Sequence, residues 1–254
     1  DANIRHLSIL QIYMLSFLQK LISSKNNTVI SSKQDAVTAN SDDLIQEKPI
    51  PNCKNAFHIL IITDTHCHMR KEQIEDFLSD IEDKIDIVFI LGDMSERDMF
   101  VAKEIAKKYK ALIYGILGNH DYDGQLEEMD IPNFEGKMIE FNGVTFTGMH
   151  GSFKYKNSDA PMLTNEESIE LAKILPTCDI FLTHDKARTN NEENSHSGLE
   201  GITQYILDKK PEYHIHGHLH ENMNENIGGI SSLGFCRYAY IEVSKNGLKI
   251  KKIF

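Results

Sequence analysis

From about residue 57 onward the chain alternates short, nearly unbroken apolar runs with longer polar segments whose apolar positions recur every three or four residues. The runs at 57–63, 85–91, 111–117 and 178–183 are dominated by Ile, Leu, Val and Phe, which predicts buried strands. The segments 72–82, 98–109 and 165–174 have helical periodicity and fall between those runs. This order predicts an α/β layered sheet that begins with parallel strands and collects its chemistry at their carboxyl ends. A further short strand is predicted at 213–216. The pattern then changes around Asn142-Gly143, within 137–149, and around Lys245-Asn246-Gly247, between runs at 235–243 and 248–253. Both are hairpin signals, so antiparallel strands are expected to join the parallel ones.

The first fifty residues read differently. Leu7, Leu10, Met14, Phe17 and Leu21 form a seam of alternating three- and four-residue steps, which predicts an amphipathic helix. Such a seam serves either a homodimer contact or packing on the chain's own domain. Arg5 before the apolar run also resembles the start of a secretory leader. Gln11, Ser16, Gln19 and Lys20 interrupt the run, so no transmembrane span is expected there. From residue 23 to 51 Ser, Asn, Asp and Lys dominate, as in a tether. The expected division is an N-terminal helix and polar linker over 1–51 and a globular domain over 52–254.

With 254 residues the chain can bury a sizeable core without disulfides. The net charge of -11 argues against a surface that recruits long nucleic acids, because that binding rests on many Lys and Arg contacts to phosphate. The four cysteines show no paired spacing, which suits a reducing, cytoplasmic setting.

Chemistry enters at the ends of the apolar runs. The first ends in Asp64-Thr65-His66, the second in Gly92-Asp93 and the third in Gly118-Asn119-His120-Asp121. The fourth ends in Thr183-His184, and the short strand at 213–216 is followed by Gly217-His218-Leu219-His220. One such Asp or His is an ordinary turn residue. Consecutive strands ending in carboxylate, amide and imidazole groups instead suggest a shared cation site. Imidazole favours Mn, Fe, Zn or Ni over Mg or Ca.

In this order the five motifs resemble the calcineurin-like metallophosphoesterase superfamily over about 57–254. Ser195-His196-Ser197-Gly198 and Gly217-His218-Leu219-His220-Glu221 are similar to its Icc-like phosphohydrolase and phosphodiesterase branch. The resemblance implies a four-layer α/β sandwich of two mixed sheets flanked by helices. It also implies two divalent transition-metal ions, one held by Asp64, His66 and His220 and the other by Asn119, His184 and His218, with Asp93 bridging. A pair of this kind, about 3.5 to 4 Å apart, clamps the oxygens of an in-line displacement and supplies hydroxide from water at neutral pH. His120 matches the position that stabilises the transition state or protonates the leaving group, with Glu96 or Asp121 as its orienting carboxylate.

Some positions depart from the pattern. Cys67 replaces the usual glycine of the first motif, and Gly92-Asp93-Met94-Ser95-Glu96-Arg97 differs from the protein serine/threonine phosphatase form. His68, His150, His196, Arg188, Lys154 and Lys156 are candidate substrate contacts, with ordinary solvation as the alternative. His214 and His216 share a strand face and are expected to be supporting groups. The implied function is metal-dependent hydrolysis of small phosphodiesters or phosphomonoesters by in-line attack of a metal-bridging hydroxide. A non-catalytic binding scaffold and a nuclease are the alternatives. A scaffold has no need of every ligand position, and a nuclease is disfavoured by the chain's acidity.

Overall fold

A computed structural model describes residues 48–81, 84–190 and 194–254. The helical seam and most of the polar tether expected before residue 52 lie outside the described residues. Ile50, assigned to that tether by its polar neighbours, is fully buried, and its amide donates to the Lys245 carbonyl.

The parallel beginning is β1 (Phe57–Ile62), α1 (Lys71–Phe77), β2 (Ile87–Ile90), α2 (Glu96–Tyr109) and β3 (Leu112–Gly115). After a short helix α3 (Gln125–Glu128) come β4 (Ile139–Phe141), β5 (Val144–Met149), β6 (Ser152–Phe153) and β7 (Met162–Leu163). Then follow α4 (Asn165–Ile174), β8 (Ile180–Thr183), α5 (Glu200–Lys209), β9 (Tyr213–His216), β10 (Met223–Ile227), β11 (Ile230–Gly234), β12 (Tyr238–Ser244) and β13 (Gly247–Ile253). One sheet has the order β13-β12-β1-β2-β3 and the other β10-β11-β9-β8-β5-β4. In the first, antiparallel β12 and β13 are added to one side of parallel β1, β2 and β3; in the second, antiparallel β10 and β4 flank parallel β11, β9, β8 and β5.

Alternation along β1 explains the layers. Ile59 and Ile61 join Phe89, Phe146, Leu182 and Ile215 in the apolar layer between the sheets. Leu60 and Ile62 point the other way, onto Ile74 and Phe77 of α1 and Met99, Ala102 and Ile105 of α2. Across the second sheet Phe181 stacks on Tyr205 of α5, with ring centroids 4.0 Å apart. The four layers are therefore helix, sheet, sheet and helix, the mixed α/β sandwich expected from the resemblance.

Capping fixes where two of the helices begin. Ser95 accepts the Asp98 amide at the start of α2, and Thr164 with Glu167 makes a reciprocal capping box before α4. Two parts of the sequence reading are corrected. The run predicted as one strand over 235–243 belongs to two regions, because the chain passes from β11 in one sheet to β12 in the other, and Arg237 turns at φ 62°. The hairpin β10–β11 and helix α5 were not expected, since polar Asn224, Glu225 and Asn226 hide the first and Gly201 weakens the second.

Candidate metal centre

In register, β1 and β2 run side by side from Ile59 and Ile87 to Ile62 and Ile90, so their loops leave at the same level. Thr183 of β8 likewise lies beside His216 of β9. The loops must then pack closely. A side chain at Gly92 would meet the Gly118 backbone, and one at Gly118 would meet Asp93 and the His184 ring. These glycines allow two loops to touch where any larger residue would separate them.

Asp64, His66, Asp93, His218 and His220 all adopt left-handed backbone conformations, with φ between 44° and 66°. Asp and His tolerate this region better than most residues, at a cost on the order of 1 kcal/mol or more each. The turns bring the side chains to one place. Asp64 Oδ1 lies 3.7 Å from His220 Nε2 and 4.0 Å from His66 Nε2, and those two nitrogens are 3.2 Å apart. On the other side His184 Nε2 is 3.0 Å from Asn119 Oδ1. Asp93 Oδ2 sits between the groups, 3.8 Å from His66 Nε2 and 3.5 Å from His184 Nε2.

A divalent ion would satisfy buried atoms of this cluster that otherwise lack partners. Among the described residues Asp64 Oδ1, Asp93 Oδ2 and His218 Nδ1 are buried without a hydrogen bond. Stranding such atoms costs about 1–3 kcal/mol each, and more for charged groups. Asp64, Asp93, His184 and His218 form one cluster that could hold a metal ion, and Asp64, His66 and His220 form another. The residues fit cations. Ring orientations agree, because His218 Nε2–H donates to the Ser195 carbonyl and His184 Nδ1–H to the Leu91 carbonyl, which turns the opposite nitrogens inward.

Charge balance points the same way. Burial opposes ionisation of Asp93, yet the His184 ring and the His120 amide hold its carboxyl below the usual range. Burial lowers His66 and His218, with carboxylates opposing, so both rings are neutral at pH 7. Burial also opposes charge on His184, but Asp93, Asp64 and the Leu91 carbonyl outweigh it and raise the ring to about 9. In the metal-free protein that proton contributes stability below the ordinary value of 6.5, and the contribution is lost as pH rises through about 9. A cation coordinated by His184 would expel it. Mn²⁺ affinity is therefore expected to rise between about pH 7 and about pH 9, by up to about tenfold per unit. Calorimetric titrations in buffers of different ionisation enthalpy measure the released proton, and a pH-independent affinity without release would remove His184 from the ligand set.

The carboxylates expected to orient His120 are engaged elsewhere. Asp121 is buried, and it accepts the amides of Asp93 at 2.8 Å, Met94 at 3.0 Å and Gly118 at 2.7 Å. It ties the second motif loop to the third. Burial pushes its carboxyl up to about 6, the Gly118 amide opposing. Glu96 accepts the Tyr122 hydroxyl at 2.9 Å, and Glu128 lies 2.8 Å from the same oxygen. Among the described residues no hydrogen bond reaches the exposed His120 ring, which lies edge-on to His66 at 5.1 Å. A cleft of about 570 Å³ opens beside it, lined by His66, Cys67, Met94, Glu96, Arg97, Tyr122 and Gln125 among others.

The remaining candidates are dispersed. His196 is exposed with its ring edge-on to His218 at 5.1 Å, and Cys67 and His68 are exposed in the first loop. His150 is bonded to Glu135. Arg188 is buried beneath Phe153 and donates to the Asn190 carbonyl, and exposed Lys156 lies over Tyr155. Lys154 donates its backbone amide to Leu163. His214 and His216 are fully buried, His214 between Thr183 and Ser232. Sequence reasoning missed Thr63, whose hydroxyl donates to Asp64 Oδ2, and Asp185, whose carboxylate accepts Phe153 and Lys186 amides near His218. The pairing Thr183-His184-Asp185 was the available signal for the latter.

Residues 57–222 match the family described as calcineurin-like phosphoesterase. The chain belongs to that family. The phosphoesterase fold also superimposes on TT1561 of Thermus thermophilus, with a TM-score of 0.58 and 13% identity over 78% of this chain and 100% of that one. The phosphopantetheinyl hydrolase of Mycobacterium tuberculosis gives a TM-score of 0.51 and 11% identity, over 72% of this chain and 91% of that one. These likenesses concern the fold. No curated protein sequence matches the chain. Among the described residues no helix is long and apolar enough to cross a membrane.

Proposed function

We propose that this phosphoesterase is a metal-dependent hydrolase of small phosphodiesters or phosphomonoesters, with Asp64, His66 and His220 holding one divalent ion, Asn119, His184 and His218 the other, and Asp93 shared. The observation that supports this most is Asp93 Oδ2, buried without a hydrogen bond between two groups of inward-facing donors. When bound, such ions polarise a phosphoryl oxygen and supply a nucleophile from water. The chain's own part is placement. Gly92 and Gly118 let the loops meet, Asp121 joins them, and the Leu91 and Ser195 carbonyls turn His184 and His218 inward. His120, whose ring makes no hydrogen bond among the described residues and lies on the cleft wall, is placed to give a proton to a departing oxygen.

Purified protein supplied with Mn²⁺ should hydrolyse bis(p-nitrophenyl) phosphate, p-nitrophenyl phosphate or both, and lose that activity on chelation. Failure on both esters with two equivalents of metal bound would favour a binding scaffold. Turnover of single-stranded oligonucleotides in preference to small esters would favour a nuclease.

A further inference from the structure

One buried carboxylate lies in a helix, away from the five motifs and the residues that adjoin them in sequence. Asp98 lies in the first turn of α2 and is 0% exposed. Its Oδ2 accepts the hydroxyl of Thr65 at 2.6 Å, and its Oδ1 is buried without a hydrogen bond. Thr65 is 1% exposed and stands between Asp64 and His66. A carboxylate at a helix N-terminus gains from the helix dipole at the surface, without being buried. Burying it with one oxygen unmatched opposes folding unless the placement serves something else.

The placement has a use in the adjoining turn. Asp64 and His66 flank Thr65 in left-handed conformations, at φ 52° and 44°. Their amides donate to the carbonyls of Gly92 and Asp93, both at 3.1 Å, and the His68 amide closes on the Thr65 carbonyl at 2.7 Å. Those bonds fix the backbone on one side of the turn. The Thr65 side chain adds a tie to α2, and Asp98 is what it holds.

We infer that Asp98 is a positioning residue which, through Thr65, holds the Asp64-Thr65-His66 turn in the strained form that aims Asp64 and His66 at one point. This rests on the proposed metal site for its consequence, but the state of the turn can be measured without metal. Partners one shell beyond a metal's ligands typically contribute 10- to 100-fold to affinity.

The test compares Thr65→Val, Asp98→Leu, their double variant, Thr65→Ser and Asp98→Asn in the full chain. Amide hydrogen exchange is followed in the metal-free protein, and Mn²⁺ affinity is measured by calorimetry. Thr65→Val and Asp98→Leu should each speed exchange at His66 and His68 while Val88 and Phe89 of β2 stay protected. Each should weaken Mn²⁺ binding by about 10- to 100-fold. The double variant should be no weaker than the poorer single variant, since one bond is broken either way. Thr65→Ser and Asp98→Asn, which keep a donor and an acceptor, should stay close to the parent. Should a single variant fail to fold, the double variant and the two conservative ones give the answer.

Unchanged exchange at His66 and His68 in the folded variants would overturn the inference. So would a uniform rise across β1, β2 and α2, which marks general destabilisation. Failure of the parent protein to bind Mn²⁺ would instead count against the proposed function, and the metal-free exchange data would still decide the role of Asp98.

Discussion

Asp93→Asn should abolish hydrolysis and the uptake of both metals while leaving the metal-free protein folded. The asparagine oxygen can still accept the His120 amide, as Asp93 Oδ1 does at 2.7 Å. Its NH₂ group, in the place of Oδ2, would set a donor against the protonated His184 nitrogen where a carboxylate now accepts. That removes one negative charge from the centre and with it the counter-charge of the His184 ring. In the metal-free protein Asp93 and the His184 ring favour each other's charged forms, so the metal-free melting temperature at pH 7 should fall modestly in the variant. The parent should gain stability on adding Mn²⁺, because a ligand that binds only the folded state stabilises it, and the variant should not. Cation catalysis worth several kcal/mol, at about 1.4 kcal/mol per decade, corresponds to a loss of at least ~10³-fold in kcat/KM. Calorimetric scans with and without Mn²⁺, metal analysis and kinetics on one ester check all three effects. A variant that still binds two metals and retains activity would show that Asp93 is not the shared ligand.

Much of this candidate centre could be anticipated because its proposed ligands sit where a detectable pattern stops. Apolar runs end within a few residues of Asp64, Asp93, Asn119, His184 and His218, so the strand ends and the chemistry announce each other. Supporting residues follow no such pattern. Asp121 lies beside His120 in sequence, which suggested that it orients the ring. Its carboxylate turns the other way, onto backbone amides, and no side-chain periodicity reports that choice. Asp98 reads from sequence as an ordinary solvated acid at a helix start, and only the packing of α2 against the first loop reveals its burial. The fold shows the same division. Parallel strands buried on both faces were legible, whereas β10 was not, because Met223-Asn224-Glu225-Asn226-Ile227 lies at a sheet edge where polar residues are allowed. Ile50 was hidden by its neighbours: a single apolar residue can fill a core position without any period to signal it.

His120→Ala should retain two bound metals and lose turnover, about 10²- to 10⁴-fold in kcat with a smaller effect on KM. The ring makes no hydrogen bond among the described residues and lies at the exposed edge of the centre, so its removal leaves no buried group unmatched. Its backbone amide, which holds Asp93 Oδ1, survives the substitution. The dependence on the leaving group carries the decisive information. If His120 gives up a proton as the ester bond breaks, esters of poor leaving groups such as alkyl alcohols should suffer most. p-Nitrophenyl esters, whose leaving oxygen needs little protonation, should suffer least. An equal loss across the series would mean that the ring acts by stabilising charge on the phosphoryl group. The absence of a fixed carboxylate partner adds a second expectation. With Asp121 committed to the loops and Glu96 to Tyr122, no tethered acid determines which ring nitrogen carries the proton. Glu96→Gln should therefore leave the pH profile of kcat in place, whereas His120→Ala should remove the limb that reports loss of the general acid. A matching shift of that limb in Glu96→Gln would show that Glu96 reaches the ring during turnover and orients it.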